Sequence, residues 1–223
     1  MSDDPETLRQ IRELSLDARP LLVLDVDDVI LEFVRPFMRY LDAQGLELGL
    51  ASFRLHGNIV HRESQQPADK DTVDAMIASF FDAQAAWQTL AEDAAPTIAE
   101  FAREAEIVLL TAMPHRFRDR RRAHLDALGL PYPLVTTEAP KGPALKALRG
   151  GTPRPVAFVD DIPRNHQSVK DTVPDAALFH LMAMPELRSL LPPLPEGVVA
   201  VESWRTAAPK IASALGLSSS GQG

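Results

Sequence analysis

The stretch 21–33, LLVLDVDDVILEF, runs four apolar residues into Asp25 and Asp27 and then returns to apolar chain. An apolar run bounded by charge is the pattern of a parallel strand buried on both faces, not the alternation of a half-solvated one. Such a strand delivers Asp25 and Asp27 to its carboxyl end, the edge at which open α/β sheets hold ligands. Asp28 follows immediately. Ionised carboxylates crowded against a buried strand are costly unless a cation or a hydrogen-bond network compensates them. A strand ending in an ordinary polar turn would not need three acids, so the cluster implies a use.

The chain around this stretch reads as strand and helix in alternation. Asp4-Pro5-Glu6 predicts a helix start with a capping acid, and Leu8, Ile11 and Leu14 carry a short amphipathic helix that stops before Pro20. From Val34 to about residue 95 helices and loops are expected and no strand. Within it, Val73, Met76, Ile77, Phe80, Gln84 and Trp87 share one face of a helix capped by Asp71, a packing stripe for the segment itself. Thereafter come a helix at 96–104, IVLLTAMP (107–114), a basic helix at 115–128 stopped by Gly129, YPLVTT (132–137) and a helix at 141–149. PVAFVDD (155–161), a helix at 163–170 and AALFHLM (176–182) complete the alternation. The proline-rich 185–198 is expected to be irregular, before a last helix with Trp204 and Ile211 and a disordered tail at 218–223.

This rhythm predicts an α/β fold, a doubly wound, Rossmann-like parallel sheet built from 1–33 and 96–217. Residues 34–95 are too many for a loop and are expected to form a small helical cap, a lid leaving the sheet directly after the first strand.

With 223 residues, 45% hydrophobic and 24% charged, the chain has the composition of a soluble globular protein. Its net charge of −8 argues against a nucleic-acid partner, despite the basic patch HRFRDRRRAH at 115–124. No apolar stretch is long enough for a membrane helix, and the polar, acidic start MSDDPETLRQ lacks the features of a secretory signal. Without cysteine there is neither disulfide nor thiolate chemistry, and the cytoplasm is the expected location. Oligomeric state is not encoded in any pattern here.

Other apolar runs also end in polar residues: IVLL in Thr111, VAFV in Asp160 and Asp161, while Lys141 opens the helix between them. Brought to one sheet edge, they make a site of three or four carboxylates, one lysine and one hydroxyl. Such carboxylates call for a hard divalent cation, and Mg²⁺ is the usual one beside phosphate. Lysine and threonine supply positive charge and a hydrogen bond to an anionic substrate.

These motifs, in this order over about residues 20–182, resemble those of the haloacid dehalogenase (HAD) superfamily. The resemblance rests on Asp25-x-Asp27, Thr111, Lys141 and the acidic pair Asp160-Asp161, with Asn165 where a further polar residue often stands. It implies that Asp25 is a nucleophile toward phosphorus and Asp27 a general acid and base. It implies Mg²⁺ held by the Asp25 carboxylate, the Asp27 carbonyl and Asp161, with Asp160 in direct or outer support. Thr111, the Ala112 amide and Lys141 would hold the phosphoryl oxygens. The implied activity is phosphomonoester hydrolysis of a small metabolite or nucleotide through an aspartyl-phosphate. A phosphomutase using the same aspartate, or a non-catalytic binding module, are the alternatives.

Asp28 stands where relatives carry glycine; aspartate tolerates left-handed backbone, so the turn is expected to survive. Val29 lacks the hydroxyl many relatives have next. Relatives that cleave carbon–halogen bonds lack the second aspartate, so Asp27 favours phosphoryl transfer. An insert between the first and second motifs resembles the helical-cap branch of the family. Its candidate substrate contacts are Arg54, His56, Asn58 and His61 in 53–64. His115 and His124 are expected on a helix surface. The patterns of metalloprotease, esterase and phosphate-loop sites are absent.

Overall fold

The computed structural model describes residues 4–217 apart from 53 and 152. The expected disordered tail, 218–223, lies outside the described residues. A short helix, α1 (Pro5–Arg12), begins at Asp4, whose side chain accepts the Glu6 and Thr7 amides as a capping acid should. It leads into β1 (Leu21–Leu24), every residue of which is buried.

Beyond the segment that follows β1, the chain forms β4 (Glu106–Thr111), α5 (Arg118–Ala127), β5 (Leu134–Thr136) and α6 (Lys141–Arg149). It continues through β6 (Val156–Asp160), α7 (Pro163–Thr172), β7 (Ala177–His180), β8 (Val199–Ala200) and α8 (Trp204–Leu215). The main sheet has six parallel strands in the order β5-β4-β1-β6-β7-β8. Counted within this sheet alone, that is the doubly wound order 3-2-1-4-5-6, whose direction reverses beside β1. The reversal opens a crevice at the carboxyl ends of β1 and β6. Asp25, Asp160 and Asp161 stand at this crevice.

The strand pleat sorts the core into two layers. Leu22 and Leu24 of β1 pack with Ile98, Leu125 and Trp204 on one face. Leu21 and Val23 pack with Ile11, Leu145 and Val169 on the other. A strand sandwiched this way has no solvent face, which is why its sequence shows no alternation.

Between β1 and β4 lie α2 (Val34–Ala43), β2 (Leu46–Leu48), β3 (Ile59–His61), α3 (Lys70–Trp87) and α4 (Ala94–Phe101). The segment is not wholly helical, as the sequence had suggested: β2 and β3 pair antiparallel. Leu46 and Leu48 turn inward around exposed Glu47, an alternation only three residues long and too short to stand out. The α3 cap is Asp69, which accepts the Thr72 amide at 2.8 Å, and Asp71 lies in the first turn instead. The α3 stripe also does more than pack its own segment. Phe33, Phe37, Tyr40 and Phe80 form a ring cluster, but Phe81 contacts Phe117 of the sheet layer and Gln84 is buried against α5. Two further differences are local. Residues 115–117 form a 3₁₀ turn before α5, and 185–198 includes a 3₁₀ turn at 185–190 ahead of β8. No helix among the described residues is long and apolar enough to cross a membrane.

Two backbone details place the site. Asp28 takes the left-handed conformation, φ 55°, as its tolerance for that region allows. Its Oδ1 accepts the Phe33 amide at 2.9 Å and aims the chain into α2. Gly142, at the start of α6, lies so close to α7 that a Cβ there would meet the Ser168 carbonyl oxygen at 2.1 Å. That close approach seats Lys141 over β6. Gly142→Ala should therefore force the two helices apart, costing about 1–3 kcal/mol of stability in urea unfolding.

Candidate active site

Lys141 is the hub of the crevice. Its side chain is fully buried, and Nζ lies 2.7 Å from Asp25 Oδ1 and 2.7 Å from Asp160 Oδ2. Burial alone would push its pKa down, but the flanking carboxylates of Asp160 and Asp25 hold it above the ordinary lysine value. Lysine is thus a fixed cation here.

The carboxylates divide by how far they are already satisfied. Asp160 Oδ1 accepts the Ile162 amide at 2.8 Å and Asn165 Nδ2 at 3.0 Å, and Oδ2 takes the lysine. Asp25 Oδ1 accepts the Val26 amide at 2.7 Å as well as Lys141, while Oδ2 takes no hydrogen bond from the described residues. The Asp161 carboxylate receives none from them at all, although its residue is buried and faces the cavity. Asp25, Asp160 and Asp161 each offer an oxygen within 4.8 Å of the others.

Burial, with Asp160 adding repulsion that Lys141 only partly offsets, raises the Asp25 pKa to about 7. Burial and the neighbouring Asp160 and Asp25 raise Asp161 well above the usual carboxylate range. One lysine cannot balance three ionised acids, Asp161 makes no ion pair with it, and the donors are all hard oxygens. That set fits a small divalent cation. Among the acidic pair, Asp161 has the free carboxylate and Asp160 is spent on Lys141 and Asn165.

Asp27 is held from a direction the sequence did not reveal. Its Oδ1 accepts Gln88 Nε2 at 2.8 Å and lies 3.0 Å from Arg121 Nη1, an ion pair without hydrogen-bond alignment. Arg121 is completely buried, its Nε bonded to Gln84 Oε1 and its Nη2 3.3 Å from Gln88 Oε1. The basic helix read as a surface patch thus turns one arginine inward. Asp27 Oδ2 takes no hydrogen bond from the described residues. The clue available was Gln84 inside an otherwise apolar stripe, since a buried amide needs partners.

Thr111 ends β4 and lines the same cavity with Ala112; its Oγ1 makes no hydrogen bond to a described residue. Asn165 serves Asp160 rather than the open cavity. Of the four candidate contacts in 53–64, only Arg54 lines the crevice. His56 is exposed and bonded to Asp74 at 2.8 Å, away from it. Asn58 braces its own loop by donating to the Ser52 and Arg54 carbonyls at 3.0 and 2.7 Å, and His61 sits exposed on β3. The two histidines expected on a helix surface are not free there: His124 is buried, and His115 bridges Asp4 and Thr136.

No protein-family model and no curated protein matches the chain. Solved structures do. A haloacid dehalogenase-like family hydrolase from Xanthomonas campestris superposes with a TM-score of 0.57 at 10% identity, covering 89% of this chain and 97% of that one. A predicted phosphatase from Clostridium acetobutylicum gives 0.58 at 10%, covering 88% and 100%. A HAD family hydrolase from Deinococcus radiodurans, with bound phosphate and sodium, gives 0.51 at 15%, covering 91% and 100%. The fold is HAD-like, a six-stranded parallel Rossmann-like sheet with flanking helices.

Two outcomes follow from the charge balance. Lys141→Met removes the cation shared by two of three buried acids and should cost about 3–5 kcal/mol in denaturant unfolding. Asp25 and Asp28 both have pKa values near 7 against 3.8 in model compounds, Asp28 through burial opposed by the Phe33 and Val34 amides. At these two acids the folded protein holds protons that the unfolded chain has lost between about pH 4 and 7. Without divalent metal their contribution to stability therefore falls as pH rises through that window, against an opposite contribution from His124, His166 and His180, whose pKa values burial lowers. Mg²⁺ should accordingly raise the melting temperature more at pH 8 than at pH 5, which differential scanning calorimetry reads directly.

Proposed function

We propose that the protein is a Mg²⁺-dependent phosphomonoesterase that works through an aspartyl-phosphate on Asp25. The observation that supports it most is the unequal use of the Asp25 carboxylate. One oxygen is fixed by Lys141 and the Val26 amide, the other takes no hydrogen bond from the described residues, and Asp25 lines the cavity. A nucleophile needs this combination of restraint and one free electron pair.

In the reading, Asp25 Oδ2 attacks phosphorus as the bond to the leaving oxygen breaks. Asp27 gives that oxygen a proton through the carboxyl oxygen not held by Gln88 and Arg121. It then takes a proton from the water that attacks the aspartyl-phosphate, returning Asp25 to its carboxylate and releasing inorganic phosphate. Thr111 Oγ1, the Ala112 amide and Lys141 stabilise the phosphoryl oxygens as charge redistributes. Asp25, the Asp27 carbonyl and Asp161 would hold Mg²⁺, with Asp160 supporting through Lys141. The ion would neutralise the nucleophile–phosphate repulsion and orient both. Residues 34–95 act as the cap that closes over the leaving group, and 1–33 with 96–217 as the core. A small phosphorylated substrate is the expected partner, in the cytoplasm.

The likeness to a predicted phosphatase and to a hydrolase with bound phosphate agrees with this chemistry. Asp25→Asn keeps the shape and removes the nucleophile. Release of inorganic phosphate from a phosphomonoester with Mg²⁺ present should drop by several orders of magnitude, with the melting temperature preserved or raised. Phosphate release at the wild-type rate would contradict the covalent route.

A further inference from the structure

The cavity in front of Asp25 has a volume of about 220 Å³, small beside the about 300–1,000 Å³ of pockets for drug-sized ligands. Phe33, Val34, Leu48, Leu55, Phe81 and Leu187 form most of its wall. Leu50 at its rim is 41% exposed, one of only two large hydrophobic side chains so exposed among the described residues. Beyond the residues assigned to the phosphoryl group and metal, and two arginines, the polar side chains of the wall are Asp28, Ser52 and Asn165, each already engaged: Asp28 by the Phe33 amide, Ser52 by Asn58, and Asn165 by Asp160. A hydroxyl-rich leaving group would bring donors and acceptors that this wall leaves unpaired, which is a strong basis for rejection.

Two arginines complete the wall. Arg54 comes from the loop braced by Asn58, and Arg164 from the first turn of α7. Neither guanidinium has a carboxylate or hydrogen-bond partner among the described residues, whereas Arg35, Arg121, Arg149 and Arg154 are all paired. In a chain of net charge −8, two exposed arginines that line one cavity, their guanidiniums without a carboxylate or hydrogen-bond partner among the described residues, are available to an anion. A guanidinium presents a planar fork suited to a carboxylate or phosphate.

We propose that the substrate's leaving group is a small aromatic or branched-alkyl alcohol carrying a second anionic group, its apolar body against the Phe33–Phe81 wall and its anion on Arg54 and Arg164. The assignment rests on the phosphomonoesterase reading but makes a separate claim about ligand class.

The test compares benzyl phosphate, 4-carboxybenzyl phosphate, 4-(phosphonomethyl)benzyl phosphate, glycerol 3-phosphate and glucose 6-phosphate, all esters of alcohols, with Mg²⁺ present. Expected is a kcat/KM at least tenfold higher for a charged benzyl ester than for benzyl phosphate, and higher for benzyl phosphate than for glucose 6-phosphate. Whichever charged ester leads identifies the second anion. The double variant Arg54→Gln/Arg164→Gln should lose at least tenfold more on the charged ester than on the neutral one. Calorimetric binding of the matching benzylphosphonates should follow the same order. Faster turnover of glucose 6-phosphate or glycerol 3-phosphate would overturn the inference while leaving the phosphatase reading intact. An equal loss on every ester in the double variant would do the same. No hydrolysis of any ester, with the phosphonate order retained, would remove the phosphatase reading and keep the ligand class; no hydrolysis and no such order would remove both.

Discussion

The structure depends on one buried ammonium shared between two carboxylates. Lys141 stands 2.7 Å from both Asp25 and Asp160, in a crevice where no water-exposed face remains to it. A buried pair of this kind survives only when the remaining lone pairs are also satisfied, and Asp160 meets that condition through Asn165 and the Ile162 amide. The glycine at 142 lets α6 approach α7 closely enough to make the contact. The pleat of β1 and the order of the sheet bring Asp25 to the same point. One ammonium cannot balance three acids, and Asp161, which has no ion pair with it, is the carboxylate left without a partner; that imbalance is the physical reason to expect a divalent cation.

A second layer of restraint comes from the segment after β1. Gln84 and Gln88 lie at the end of α3 and the residue after it, and Arg121 lies on α5, so the Asp27 contact joins the inserted segment to the sheet layer. Phe81 against Phe117 adds an apolar contact across the same boundary. Any movement of α3 away from the sheet must therefore break a buried polar network around Asp27. The position of α3 and the orientation of the Asp27 side chain are coupled through shared hydrogen bonds.

Much of this was legible in the sequence because the signals were redundant. Buried parallel strands read as apolar runs, and each of the decisive polar residues sat at the end of one or at a helix start, so Asp25, Asp27, Thr111, Lys141, Asp160 and Asp161 could be picked out together. Asp28 in the left-handed region followed from the tolerance of aspartate for that backbone. What escaped was carried by single residues whose meaning depends on tertiary contact. Arg121 is one of several arginines in a basic helix, and nothing local distinguishes the one that turns inward. Three-residue strands such as β2 have too short a period to register. Arg164 carries no local signal that sets it beside a cavity, and His56, read as a candidate substrate contact, is bonded to Asp74 instead.

The central claim is that Asp25, fixed by Lys141, becomes covalently phosphorylated. It is tested most directly by mixing the protein with Mg²⁺ and a turned-over phosphomonoester, quenching in acid, and mapping the modified peptide by mass spectrometry. The account predicts a phosphoryl group on the peptide containing 21–33, localised to Asp25 and absent from Asp25→Asn. Turnover without any phosphorylated peptide, or with the label on another residue, would contradict it.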